Sequence, residues 1–562
     1  MSAIETTSAK KSHAATALAL APVLSERFAL RWPQGALCLF FASVYLIVSY
    51  VPLFPAVTWR HVQMGDWILE RGLLPNVAPF LPLADGMPWT TTSWLSDVLF
   101  SSVHRLAGVQ GLSFLLTLLV LATSVLTART AFLQTSRHRW AILTAAVWLV
   151  SQASRISVLR PELLSVCCLA VLLWLFSRSL TPHQPDAPAR PLSHPDLAGS
   201  SGWLSVAALF VLWANLDGTV VLGVGVMICF ALGELLEALA EHRSLMRALD
   251  EARVRRTVLL AELAGAATLV QPLGWDLWAE VFRGPRSSIW ATLGGPSPLV
   301  LASATGLAVT LVWLLTAVLL RVSPRRIRVA DALLLIGATG LVALHRYATI
   351  WLAPVALFVL LPHLAEVVSK LSRRASEGDF SRDVATSSLA LRVRVTTPDP
   401  HHPPFAFKVT LLAALVIWCA FVLSPIAGPL MGRRPQALER IVSQQTPLGL
   451  SNFLKQQPQA PQGLVWVPEE WGDWLAWQGP AGLKISANSQ QHLLPERLRQ
   501  DIAVVVRAEG NWTRTLDRYG VELLVVDKQR QPRLADAAAS QEKDWSLAYE
   551  DRLAIVLKRR AF

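Results

Sequence analysis

Long windows of this chain carry almost no charge, and the charges it has fall between them. Apolar runs lie at about 35–54, 111–133, 140–154, 162–180, 203–215, 219–240, 257–272, 298–320, 330–344, 349–367 and 407–430. A helix needs about 20 apolar residues to cross the hydrocarbon of a bilayer. The pattern therefore predicts a polytopic α-helical membrane protein with about eleven transmembrane helices. Composition agrees: 16% of the 562 residues are charged and 53% hydrophobic, against roughly 25% charged in soluble domains. The net charge of +12 would suggest nucleic acid in a soluble protein. In this pattern the basic residues read as topology signals, so the expected partner is the lipid bilayer, with no nucleic acid.

Basic loops mark the cytoplasmic side. "RHR" at 137–139, "EHRSLMRALDEARVRR" at 241–256, "RVSPRRIR" at 321–328 and the segment 368–406 alternate along the chain as inside loops. That makes 1–34 a cytoplasmic tail, 35–430 the transmembrane domain with an external loop at 55–110, and 431–562 an extracytoplasmic region. The first apolar run has no small-x-small cleavage site after it and reads as an uncleaved anchor. The Pro- and His-rich stretch at 181–201 reads as a linker. Trp94–Leu106 carries Asp97, His104 and Arg105 and reads as an interfacial helix. All five cysteines sit inside apolar runs and read as small buried hydrophobes, so neither a metal nor another cofactor is expected.

In this topology the informative polar stretches share the outer face. They are "TWRHVQMGDWILERGLLP" from Thr58, "TSWLSD" (92–97), "RPELLS" (160–165), "ANLDG" (214–218), "QPLGW" (271–275) and "HRY" (345–347). Ionisable groups at helix mouths are costly beside lipid and tend to line a cavity, which predicts one shared external cleft. The competing role for each is a helix cap or an interfacial anchor. Within the first stretch, His61 and Asp66 are five residues apart, about 140° around a helix, and His61 is expected to face inward. From Arg433 the apolar runs shorten. "GLVWVPE" (463–469), "LKISA" (483–487), "IAVVVR" (502–507), "VELLVVD" (521–527) and the pair within 545–559 read as strands. "EEWGDWLAW", "NWTRTLDRYG" and "PRLADAAAS" read as helices, giving a small α/β domain with no phosphate loop, nucleophile motif or zinc spacing.

These stretches, together with "GMPWTTTSWLSDVLFSSVHRLAG", "WANLDG" and the tail motif "WGDWLAW", resemble the GT-C superfamily of integral-membrane glycosyltransferases. More narrowly, the chain is similar to bacterial membrane proteins related to the dolichyl-phosphate-mannose-protein mannosyltransferase type. The resemblance implies a GT-C-like fold and a polyprenyl-phosphate-linked sugar donor. It implies transfer to an acceptor, not identified, on the outer face of the cell inner membrane, with an acid of the first external loop as base. Three departures stand out. Where the related pattern reads Asn-Leu-His-Gly, this chain has Asn215, Leu216, Asp217 and Gly218. Where the related loop opens Asp-x-Trp-x-His, this chain has Val57, Thr58, Trp59, Arg60 and His61. Where an acidic-Gly-Arg motif follows the tail tryptophans, it has "SANSQ" (486–490). The candidate catalytic residues are then Asp97, Asp217 and His61. The candidate substrate-binding residues are Arg160, Arg346, Trp59, Asn215 and Trp275, with the arginines on phosphate because guanidinium pairs with it bidentately. Arg160 has a competing role in an ion pair with Glu162 or Asp97. The alternative function is a non-catalytic GT-C-like scaffold or a subunit of an envelope assembly. A transporter fits less well, because the middles of the spans are almost free of charge.

Overall fold

The computed structural model describes residues 29–84, 87, 89, 91–156, 158–180, 200–283, 287, 289–290, 297–386, 403–541 and 544–560. Most of the N-terminal tail, of the 181–201 linker and of the end of the 368–406 segment lies outside the described residues. Every apolar window falls on a helix: Trp32–Ser49, Trp94–Thr135, His138–Gln152, Pro161–Leu180, Ser200–Leu216, Val220–His242, Ala252–Ala267, Ala304–Val322, Val329–Leu344, Thr349–Thr386 and Pro403–Leu423. Among the described residues, six helices are long and apolar enough to cross a bilayer and three more are shorter apolar helices. The Ala304–Val322 helix turns Leu307, Leu311, Leu314, Leu315 and Val318 outward, a surface that only hydrocarbon would satisfy. The chain is a multi-pass membrane protein with a small C-terminal sheet domain.

Two helices that share the 55–110 stretch build the platform for the site. Thr58–Arg71 begins at a sharp corner. Val57 has φ 64° and ψ −56°, and the Thr58 N–H donates to the Ala56 carbonyl at 2.7 Å. This is a γ-turn of the rare positive-φ hand, at a β-branched residue that such backbone strains. The helix stops at Gly72, φ 66°, as an αL cap should. The expected interfacial helix and the next span are one element, Trp94–Thr135, broken at Gly108 with φ 62° and ψ −159°. Only glycine takes that conformation readily, so Gly108 separates an arm bearing Asp97 from the crossing behind it. The arm and the Thr58–Arg71 helix touch backbone to side at Gly65. A Cβ there would lie 2.0 Å from the Asp97 carbonyl oxygen.

The C-terminal domain holds one four-stranded sheet: β1 Leu464–Trp466, β2 Val521–Asp527, β3 Trp545–Glu550 and β4 Ala554–Arg559, in spatial order β1-β2-β4-β3. β1 pairs parallel to β2, while β4 lies antiparallel to both β2 and β3. Helices Glu469–Gln478, Trp512–Arg518 and Pro532–Ala539 fall where the sequence places them. Two strand expectations are corrected. "LKISA" makes only an isolated bridge, Ile485 to Val465. "IAVVVR" belongs to the helix Glu496–Val506. Its β-branched run suggests a strand, but Leu498, Ile502 and Val505 recur at helical spacing and turn into the core, and burial overrides propensity.

Tryptophans seat this domain on the Thr58–Arg71 helix. Trp59, fully buried, stacks on Trp477 with centroids 4.5 Å apart and meets Trp474 edge-on at 4.8 Å. The Asp473 carboxylate accepts the Val57 N–H at 2.7 Å, and Gln63 donates to the Ala476 carbonyl at 3.1 Å.

Candidate active site

Between the Thr58–Arg71 helix, the helix mouths beside it and the C-terminal domain lies a cavity of about 600 Å³. Each wall has a distinct origin. Val57, Arg60 and His61 come from the start of the Thr58–Arg71 helix, and Thr91, Thr92 and Ser93 from the turn before the arm. Arg155, Arg160, Glu162, Asp217 and Tyr347 come from the helix mouths. Glu469, Glu470, Ser489, Gln490, His492 and Arg530 come from the C-terminal domain.

His61 is 3% exposed, and its Nδ1 lies 2.5 Å from Asp97 Oδ1. Arg60 Nη2 sits 3.0 Å from His61 Nε2. A guanidinium only donates, so Nε2 is the acceptor and the proton sits on Nδ1, shared with Asp97. Burial, and then the Arg60 charge, pull the His61 pKa below its ordinary value, so the ring is neutral near pH 7. Asp97 does not line the cavity. It stands behind His61, where Thr91 Oγ1 donates to Oδ2 at 2.8 Å and Ser93 Oγ to Oδ1 at 3.4 Å. Asp66 turns elsewhere, accepting from Ser101 Oγ and Arg105 Nε at 2.7 and 2.8 Å.

Arg160 opens into the cavity. Glu162, its nearest acid in sequence, pairs with Arg155 at 3.4 Å, and Asp97 with His61. Among the described residues no carboxylate lies within ion-pair distance of Arg160. Its loop is pinned by Thr58 Oγ1, which donates to the Leu159 carbonyl at 2.9 Å. Asp217 lines the wall too, but its Oδ2 accepts from Ser165 Oγ at 2.7 Å and from Thr219 Oγ1. At the outer rim, burial and then the neighbouring Glu470 and Asp473 raise Glu469 to about 7. Arg530 crosses from the same domain to pair with Glu470 at 2.5 Å.

Besides Asp97, four expected site residues stand off the wall. Arg346 is exposed and lies over the ring of Tyr347 at 4.7 Å, so its contact with the cavity runs through that tyrosine. Trp59 is buried in the domain junction. Asn215 accepts from Trp94 Nε1 at 3.0 Å and donates to the Val211 and Val270 carbonyls, tying the arm to its neighbours. Trp275 is exposed at the N-cap of the Asp276–Phe282 helix. Sequence reasoning passed over Arg60, Gln490, His492, Glu469 and Arg530. The signal for the tail residues was present in "SANSQ", whose Ser489 and Gln490 reach the cavity where the related motif differs.

No family model and no curated protein matches the chain. Among solved structures, it is similar to an archaeal oligosaccharyltransferase, AglB from Archaeoglobus fulgidus, solved with an inhibitory peptide and a dolichol-phosphate. Identity is 12% and TM-score 0.47, over 89% of this chain and 70% of that one. It is similar to the arabinofuranosyltransferase AftD from Mycobacteria at 13% identity and TM-score 0.44, over 95% of this chain but only 40% of that one. It is also similar to ArnT from Cupriavidus metallidurans in the apo state, at 13% identity and TM-score 0.45, over 93% and 98%. With TM-scores below 0.5 the likeness gives neither a residue role nor a reaction.

Proposed function

We propose that this protein is a glycosyltransferase that takes a sugar from a polyprenyl-phosphate donor and passes it to an acceptor on the outer face of a bacterial inner membrane. One observation carries the proposal. A neutral histidine, oriented by a buried aspartate, shares a cavity at the helix mouths with an arginine that has no ion-pair partner among the described residues. The acceptor O–H gives its proton to His61 Nε2, and its oxygen attacks the anomeric carbon. The bond from that carbon to the phosphate oxygen breaks, and the polyprenyl phosphate leaves with the electron pair. Arg160 stabilises the charge that gathers on the phosphate, as a fixed cation in a partly dry site does well. Asp97 orients the ring and stabilises the imidazolium that forms. The acceptor hydroxyl takes the place of Arg60 at Nε2. This frees the Arg60 guanidinium, held through Nε to Ser489 Oγ at 3.0 Å, to turn to the phosphate.

Val57 in place of an acid is the feature of the sequence that favours a non-catalytic scaffold. Asp473 against the Val57 N–H and Asp97 against His61 both bring carboxylates to that corner, which supports the enzyme. Asp217 is less suited to be the base, because its carboxylate already accepts from Ser165 and Thr219. The test is binding of radiolabelled polyprenyl phosphate to the full chain in nanodiscs. Arg160→Gln is expected to weaken it by about 10-fold or more, the scale of a charged hydrogen bond. Equal binding by wild type and variant would remove Arg160 from the proposal.

A further inference from the structure

Gln490 lines the cavity, and its side-chain amide is buried in the wall. The residue is 1% exposed, and neither its side-chain oxygen nor its nitrogen has a hydrogen-bond partner. Its backbone is fixed, the N–H donating to Asn488 Oδ1 at 2.9 Å. Two residues on, His492 lines the same cavity, with its Nε2 buried and equally without a partner. Burial, then Arg60 and Arg499, push His492 down to about 4, so the ring is neutral at physiological pH. Buried polar groups are nearly always met by a partner, and unmet ones cost free energy. Two neighbouring residues with three unmet atoms on one cavity wall point to a ligand that meets them.

We propose that Gln490 and His492 form a subsite for an uncharged sugar ring, hydrogen-bonding its adjacent hydroxyls. The inference rests on the transferase function and deepens it. The chemistry selects the ligand class. An amide offers a donor and an acceptor side by side, which matches a diol, where one hydroxyl gives and the next accepts. An anion would meet the amide nitrogen and be repelled by its oxygen, and a cation would do the reverse. The position suits a sugar as well. Ser489 holds Arg60 on one side, so the subsite adjoins a cation assigned to the phosphate.

The experiment uses the full chain in nanodiscs. Bare polyprenyl phosphate is titrated against polyprenyl-phosphate-glucose, -mannose and -galactose. In parallel, free methyl glycosides are tested for shielding His492 from diethyl pyrocarbonate, mapped by peptide mass spectrometry. In the wild type at least one sugar-bearing lipid is expected to bind about 10-fold tighter than the bare lipid, the scale of two neutral hydrogen bonds. Gln490→Leu erases that preference and leaves bare-lipid binding unchanged. Because no protein group meets the amide, Gln490→Leu also keeps or raises the Tm. A preference that survives in Gln490→Leu while glycoside shielding of His492 is lost assigns the subsite to the acceptor's sugar. If both survive, or if bare-lipid binding falls equally with a lowered Tm, the subsite is overturned. A wild type that binds none of the lipids ends the transferase reading separately. The glycosides alone then decide the subsite: shielding keeps it, and no shielding by any of them overturns it.

Discussion

Val57 marks the corner on which the site turns. Valine disfavours positive φ, yet here it holds a γ-turn that points His61 into the cavity and offers its N–H to Asp473. The carboxylate that meets this backbone N–H comes from 416 residues away, which no local motif announces. His492 gives the clearest pH signature. Its folded pKa, about 4, lies below the ordinary 6.5, so the unfolded chain binds more protons between those values. Stability from this group is therefore present above about 6.5 and is lost as pH falls toward 4. His61, also lowered, acts with the same sign. Thermal unfolding in nanodiscs across that window should show Tm falling with pH, and His492→Gln should flatten the fall. A slope unchanged in the variant would mean that His492 is not buried neutral. Asp97 is legible as an acid at a helix mouth, but not its place behind His61. That follows from the helix contact at Gly65, which needs the tertiary fold.

That contact is the feature of greatest consequence among the elements. The Thr58–Arg71 helix can lie against the Trp94 arm because residue 65 has no Cβ to meet the Asp97 backbone at 2.0 Å. Gly65→Ala is expected to force the two apart, costing about 1–3 kcal/mol as overpacking does. Activity should fall further than the loss of stability accounts for, because His61 leaves Asp97. A variant of lowered Tm and full activity would show that the pair needs no such closeness. Both helices are legible in sequence, the first from its polar and aromatic stretch and the second from its acid start. Gly108 is less so, since a glycine inside an apolar pattern is as often packing as a break. The misread strand at 502–507 has a different cause. Its residues are strand formers, and only the turns on either side decide between periods of two and 3.6. Trp59 shows a similar limit. Its sequence context suggests an interfacial anchor, whereas it pins the tail domain between two other tryptophans. Trp59→Ala, at about 3–5 kcal/mol for a buried large aromatic, should speed limited proteolysis between residues 430 and 464. Unchanged cleavage there would remove the pin.

Across the whole molecule the membrane pattern is the most legible level, because hydropathy is a sum over many residues and single exceptions do not disturb it. All eleven windows fall on helices. His61, Arg160 and Asp217, read from three separate loops, reach one cavity. The tail's share of that cavity was not legible, since hydropathy marks 431–562 as a separate body and is silent on where it docks. Orientation is tested by reporter fusions after Leu430. A periplasm-active reporter is expected to work there, and a cytoplasm-active one would reverse the topology. The central claim is transfer chemistry at His61. The most direct measurement is the rate of labelled-sugar transfer from a panel of polyprenyl-phosphate donors in proteoliposomes, for wild type and His61→Gln at matched folded protein. Transfer by the wild type, slowed by about 10²–10⁴-fold in the variant as for loss of a general base, is the predicted result. Equal rates in the two, or no transfer by the wild type from any donor, would contradict it.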